Sequence, residues 1–465
     1  MTLTRRSASD LLAALMDGSL GAVELMQATL DRIDAVNGSV NAIVGLRDGD
    51  ELLEEARMLD SGPKRGPLHG LPIAVKDLVD VAGIVSTHGS PAFANAVPEK
   101  DDLIAARMRA AGAILIGKTN VPEFGLGSHT FNPVYGATRN PYDKTRSAGG
   151  SSGGAAVALA TGMTALADGS DMMGSLRNPA AWNNVYGLRP SWGRVPSDPV
   201  GDMFLHEMAT LGPMARSPED IAILLDVISG RDRQQPHGED CDPVAPLKKV
   251  DPKGFRIGWL GDWGGAFPME AGILAQSEVA LAALETLGCV VEPVTPPFSA
   301  DAIWDSWVDL RAWQVSVGLA PLLAEGAPLK DSAVWETKHG LSLSGQQIQA
   351  ASAIRSDWFR TAATLFETYD ALVLPSAQIW PFDVDLPFPT EIAGQKMDTY
   401  HRWMQVVVPV SLIGLPTLAV PAGFGAGGLP MGVQLIGPRG SDGDLLALGA
   451  AYHAATNWPQ PQPAF

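Results

Sequence analysis

Residues 147–181 read SAGGSSGGAAVALATGMTALADGSDMMGSLRNPAA. Glycine lets backbone segments approach where a side chain would clash, so this run constrains the fold more than any other part of the chain. Gly149 to Gly154 open a helix of small residues, AAVALATG. A phosphate-binding loop would close its glycines with G-K-[ST], and a dinucleotide fold would carry G-x-G-x-x-G after a strand. Residues 149–154 fit neither pattern. The glycines then serve to crowd backbone and hydroxyl groups around a reacting carbonyl, with hydroxyls at Ser151, Ser152, Ser170 and Ser175.

A serine hydroxyl is a nucleophile only beside a base. The chain has 8 histidines, and none lies in a G-x-S-x-G context. Lysine can take the role where burial depresses its pKa. Lys76, in PIAVKDLVD, sits inside an apolar strand, a costly place for a charge without a task or a partner. Two readings stand on this strand alone. Lys76 is a base, or it is a structural lysine paired with Asp77 or Asp80.

The surrounding pattern is that of a sheet covered by helices. SASDLLAALMDGS, AVELMQATLDRIDAVNGSV and DELLEEARMLDSG have helical spacing, with Leu25, Leu30 and Ile33 on one stripe. Asn37-Gly38 reads as the stop of the second helix, and Gly62-Pro63 as the stop of the third. LPIAVKDLVDV and AILIGKTN are strands flanking the helix DDLIAARMRAAG. Later strands are FRIGWL, CVVEPV, DALVLPS, PTLAVPAGF and MGVQLIG, with helices near 218–229, 272–287 and 350–369. The polar stretch SGRDRQQPHGEDCDPVAPLKKVDPKG has strands on both sides, so it reads as a surface crossing within one domain. The expected organisation is a single domain over 1–465. It has a helical layer at 1–65, a catalytic core at 66–200 and a pocket-shaping region at 300–405.

Composition narrows the classes of partner. With 33 Lys and Arg against 51 Asp and Glu, the net charge is −18, and the acidic residues are scattered. Nonspecific nucleic-acid binding is therefore not expected. Cys241 and Cys289 form neither a metal spacing nor a disulfide framework. No apolar run reaches the roughly 18 residues of a membrane span. The short apolar run near the start is flanked by Asp10 and Asp17, a poor secretory signal, so the cytoplasm is the expected compartment.

GLPIAVKD, GGSSGG, DMMGSLRNPAA and YGLRPSWGRVP occur in this order. With GKTNVPEFGLGSHTFNPVYGATRNPYD and the late GLPTLAVPAGF and GLPMGVQLIGP, they make the chain resemble the amidase signature family over most of its length. The resemblance implies an α/β/α sandwich with a central, mostly parallel mixed β-sheet covered by helices. It implies an amidohydrolase of linear amides, without metal or cofactor. Ser175 would be the acyl-accepting nucleophile, Ser151 a bridging serine after a cis peptide, and Lys76 the terminal base. Ser152 would have a structural or pocket hydrogen-bonding role, grouped with Gly125, Leu126 and Ser128 as substrate-binding residues. Asp171 and Arg177 would brace the nucleophile turn, and Asn178, Trp182 and Arg189 would pack the sheet behind it. His129 is not required.

The oxyanion hole would use backbone N–H groups of Met172, Met173, Gly174 and Ser175. Here the turn departs from the family, which usually has glycine where Met173 stands. A side chain from Met172 or Met173 is expected to line the pocket. Seven of the 12 tryptophans fall between 304 and 403 (Trp304, Trp307, Trp313, Trp335, Trp358, Trp380 and Trp403), and some are expected to wall it. The substrate is then an aryl or aliphatic amide, an ester or a carbamate, the last making the protein a urethanase. A glutaminase subunit of a tRNA-dependent amidotransferase is the second reading, and a binding protein with a decayed site the third. The expected partner is the small-molecule substrate alone, apart from a second copy in a homodimer.

Overall fold

The computed structural model describes residues 2–197, 203–205, 208–459 and 462–465. The N-terminal helices form where the spacing places them. Ala8–Asp17 is capped by the Ser7 hydroxyl, which accepts from Asp10 N–H, and it ends on left-handed Gly18. Gly49–Ser61 is capped by Asp48 and ends at Gly62. Ala22–Val40 runs past the predicted stop at Asn37-Gly38 and ends on left-handed Asn41. The Asn37 side chain does other work. It accepts the N–H groups of Ala42 and Ile43 and donates to the Ile43 carbonyl, so it shapes the turn after the helix.

That turn leads into a small sheet. Pro72–Lys76 pairs parallel with Ile114–Thr119, which pairs antiparallel with Ile43–Val44. The main sheet has eight strands, in the order Val290–Pro293, Arg256–Trp259, Ala371–Pro375, Pro430–Ile436, Thr417–Phe424, Tyr186–Arg189, Thr210–Ala215, Leu166–Asp171. It is mixed. Parallel pairing is confined to the first three strands, and the others pair antiparallel. Parallel pairing is therefore less extensive than in the mostly parallel sheet that the resemblance implies, because a hairpin, Thr417–Phe424 to Pro430–Ile436, occupies the centre. Strands from before and after residues 229–254 share this sheet, so the polar crossing joins parts of one layer.

Side chains alternate across the sheet. Leu418 and Val420 join one core, which includes Leu224, Leu284 and Leu448 from helices Pro218–Ile228, Ile273–Thr286 and Asp442–Thr456. Ala419 faces the opposite way, toward Ala155, Ala156 and Ala180 of helices Gly153–Thr161 and Arg177–Trp182. The result is an α/β/α sandwich. Helix Gly153–Thr161 is buried on every side, since it packs on both sheets. A Cβ on Gly154 would lie 2.3 Å from Asn120 N and 2.6 Å from Ala42 O. Only small residues fit there, which accounts for the composition of the run.

Helices Ala300–Ala324, Asp331–Ser342 and Gly345–Leu365 pack on one another beside the sheet. Trp304, Trp307, Trp358 and Trp403 are buried in the core they enclose. Trp182 stacks on Trp403, with ring centroids 5.9 Å apart. Among the described residues, no helix is long and apolar enough to cross a membrane.

Candidate active site

Lys76 is the last residue of its strand and is fully buried. Its N–H donates to Asp168 Oδ1 at 2.9 Å. Its Nζ lies 2.9 Å from Ser151 Oγ, 2.8 Å from Ser152 Oγ and 3.0 Å from Ser170 Oγ. Burial pushes the Lys76 pKa down to about 7, against the opposing pull of Asp168 and Asp171. A neutral amine has two N–H groups and one lone pair. Within this ring of hydroxyls it can donate to two and accept from the third.

The ion-pair reading of Lys76 finds no support. Asp77 accepts from the Thr87 N–H and hydroxyl, and Asp80 lies 3.3 Å from His88 Nε2. Asp168 is absent from the sequence reading and Ser170 enters it only as one of four hydroxyls, yet both meet the lysine. They stand two apart on strand Leu166–Asp171, so both face the same side, a period-two signal that was available in the sequence. Burial raises Asp168 to about 6, although Lys76 and Lys118 oppose it. Replacing Ser170 by Ala removes one acceptor from the ammonium. The expected result is a roughly tenfold lower kcat with KM little changed, and an acid limb of the pH profile moved to lower pH. An unmoved limb would show that Ser170 does not interact with the amine.

Ser151 follows a cis peptide bond from Gly150. Gly150 N–H donates to Asn178 Oδ1 at 3.3 Å, and the Thr130 hydroxyl donates to the Gly149 carbonyl at 2.8 Å while accepting from Gly153 N–H at 3.2 Å. Ser151, Ser170 and Ser175 line one cavity of about 340 Å³. Ser152 does not line it, so of its two expected roles the substrate contact is not met and the structural hydrogen bond is. It sits at the N-terminus of helix Gly153–Thr161, which turns its hydroxyl toward Lys76.

The turn before Ser175 is held from behind. Asp171 accepts from Gly174 N–H at 2.8 Å, Leu176 N–H at 3.1 Å and Arg177 Nε at 2.9 Å. Arg189, expected only to pack, also reaches Asp171 Oδ1 at 3.2 Å. Burial would raise the Asp171 pKa, but Arg177 and then Arg189 outweigh it and hold the carboxyl well below the usual range. Arg177 extends the brace to Ser411 Oγ at 2.6 Å and Gln434 Oε1 at 2.5 Å.

This brace corrects the expected oxyanion hole. Gly174 N–H is committed to Asp171, which leaves Met172, Met173 and Ser175, whose N–H groups have no hydrogen-bond partner among the described residues. The methionine substitution is tolerated for a local reason. The left-handed residue of the turn is Gly174, at φ 78°, and Met173 is not among the non-glycine residues at positive φ. A Cβ on Gly174 would meet Val407 at 2.9 Å.

Met172 and Met173 both line the cavity, with Met404, Leu78, Phe124 and Leu319 completing an apolar wall. Gly125, Leu126 and Ser128 line it too. No tryptophan does among the described residues, which corrects the expected aryl-accepting wall. The large indole surfaces are consumed in the adjacent core instead. Sequence reasoning also missed Arg311, a buried cation on helix Ala300–Ala324 that reaches the cavity. His129 is held by Val384 O at 2.9 Å and Ser147 Oγ at 2.7 Å, and burial depresses it to about 4. It is a neutral structural residue.

A family model described as Amidase matches residues 24–446. An acylamidase of Rhodococcus erythropolis is 33% identical over 98% of this chain and 97% of its own. A glutamyl-tRNA(Gln) amidotransferase subunit of Symbiobacterium thermophilum is 34% identical over 98% of both chains. Among solved structures, that of a bacterial aryl acylamidase of the amidase signature family has a TM-score of 0.91 at 29% identity, covering 99% of each chain.

Proposed function

This chain belongs to the amidase signature family and is an amidohydrolase acting on amide C–N bonds; on that premise we propose that it is a free-standing amidase using Ser175, Ser151 and Lys76. Neutral Lys76 takes the Ser151 hydroxyl proton as Ser151 takes that of Ser175. The Ser175 oxygen attacks the amide carbon. The oxyanion is met by the N–H groups of Met172, Met173 and Ser175, each worth about 3–4 kcal/mol to the transition state. The proton then returns through Ser151 to the leaving nitrogen, the C–N bond breaks, and an acyl-Ser175 remains. Water, deprotonated through the same relay, hydrolyses the acyl group. Esters and carbamates pass through the same steps.

One observation carries this reading. A fully buried amine lies 2.9 Å from the Ser151 hydroxyl, in a site whose cavity also holds Ser175. The apolar wall of Met172, Met173, Met404 and Leu78 supports an aryl or aliphatic acyl compound over glutamine. Release of aniline from anilides, with no ammonia from glutamine, is the expected result. The reverse pattern would favour the amidotransferase-subunit reading.

The pH dependence follows from the sign of the lysine shift. The base must be unprotonated, and its pKa is lowered to about 7. The expected kcat/KM therefore rises as pH passes through about 7 and levels off above it, falling about tenfold per pH unit on the acid side. A profile flat from about pH 5.5 to 8 would rule Lys76 out as the base.

A further inference from the structure

Arg311 is only 3% exposed, yet it borders the cavity. Its Nε donates to Glu336 Oε1 at 2.6 Å and its Nη2 to the Tyr400 hydroxyl at 2.9 Å. The Tyr400 hydroxyl donates in turn to Glu336 Oε1 at 2.7 Å. Its Nη1 is different. It points to Met172 Sδ at 3.2 Å, and a thioether is a weak acceptor. One helical turn on, Gln314 lines the same cavity, and its buried Oε1 has no hydrogen-bond partner among the described residues. The Ser128 hydroxyl, on another lining residue that is 1% exposed, also has none among them.

An apolar cavity thus carries unused polar capacity next to the turn that presents Ser175. Leaving a buried donor without a good acceptor is costly, and a ligand that supplies the acceptor recovers that cost. Glu336 offsets the Arg311 charge, so this corner favours a neutral oxygen over a carboxylate.

We propose that Arg311 Nη1 is a specificity-determining donor for a second, neutral carbonyl oxygen on the substrate, so that the preferred substrates are amides bearing another amide or ester group. Gln314 Oε1 accepts the N–H of that second amide where it has one. The proposal rests on the amidase reading and deepens it by naming the substrate class.

The test uses matched anilides in two series, one extended on the acyl chain and one on the aniline ring. Each series compares an amide, an ester, a free carboxylate and a hydrocarbon of similar length. In the wild-type protein, the amide and ester of at least one series should exceed the hydrocarbon about tenfold or more in kcat/KM, mostly through KM. Arg311→Lys keeps a cation beside Glu336 but removes the forked donor, and should erase the preference while hydrolysis of the hydrocarbon anilide continues. Because this position is buried, Gln314→Leu serves as a second variant. It should reduce the preference for the amide over the ester alone.

Equal rates for carbonyl and hydrocarbon compounds in both series would overturn the proposal. So would a preference that survives Arg311→Lys, or a carboxylate that outperforms both neutral carbonyls. Hydrolysis without preference would defeat this inference only, whereas failure to hydrolyse any anilide, ester or carbamate would remove the amidase reading and this inference with it.

Discussion

Replacing Ser175 by Ala, or Lys76 by Met, is expected to lower kcat/KM by on the order of 10⁴-fold or more on any good substrate. The two variants should be nearly equal in effect, and the double variant little worse than either, because the proposed relay acts as one unit. Lys76→Met carries a second, sharper expectation. In the folded chain the lysine pKa is lowered to about 7, against an unfolded value of about 10.4. Below the folded value the amine is charged in both states, and the native state carries the whole desolvation cost. That cost declines as pH rises from about 7 to about 10, where the unfolded state still binds the proton and the native state does not.

Lys76→Met removes this cost, against the loss of hydrogen bonds to three hydroxyls. Activity should therefore disappear while the thermal midpoint at pH 7 holds or rises. A structural lysine would behave in the opposite way, with lost stability and retained turnover of the molecules that fold. Kinetics and thermal unfolding on the same preparation separate the two.

The second large effect is on stability. Arg177→Met strips Asp171 of its main partner at a position where both side chains are fully buried. Breaking a buried pair from one side costs about 3–5 kcal/mol, since the remaining charge keeps its desolvation penalty. Arg189 compensates in part at 3.2 Å. Activity should fall with stability, because Asp171 holds Gly174 N–H and Leu176 N–H on either side of Ser175, the proposed nucleophile. The pH dependence has a definite sign. The Asp171 pKa is depressed in the folded chain, so its contribution is present above the ordinary carboxylate pKa of about 4 and is lost as pH falls toward the folded value. In Arg177→Met the acid-induced loss should be shallower. A variant with an unchanged midpoint and full activity would mean that the brace has no role.

What could be read before folding was what short spacing encodes. Helical and strand periods were enough for a sheet covered by helices, and the glycine run for helix Gly153–Thr161, whereas the sandwich and the roles of Lys76, Ser151 and Ser175 came from the resemblance carried by the ordered motifs. Asp168 and Ser170 were within reach of the same logic, since a period of two puts them on one face of their strand. The C-terminal boundary of helix Ala22–Val40 was not, because Asn37 bonds to residues beyond the helix and local propensity cannot know that.

The chain's order of residues by itself determined the turn before Ser175 and its one left-handed glycine, because backbone sterics act within a few residues. Only the tertiary structure decided that Asp171 takes the Gly174 N–H, that Trp304, Trp307, Trp358 and Trp403 fill a core rather than a pocket wall, and that Arg311 meets Met172 from 139 positions away. Burial and hydrogen-bond partners depend on which surfaces close over a group. Distant segments supply those surfaces, and no local pattern specifies them.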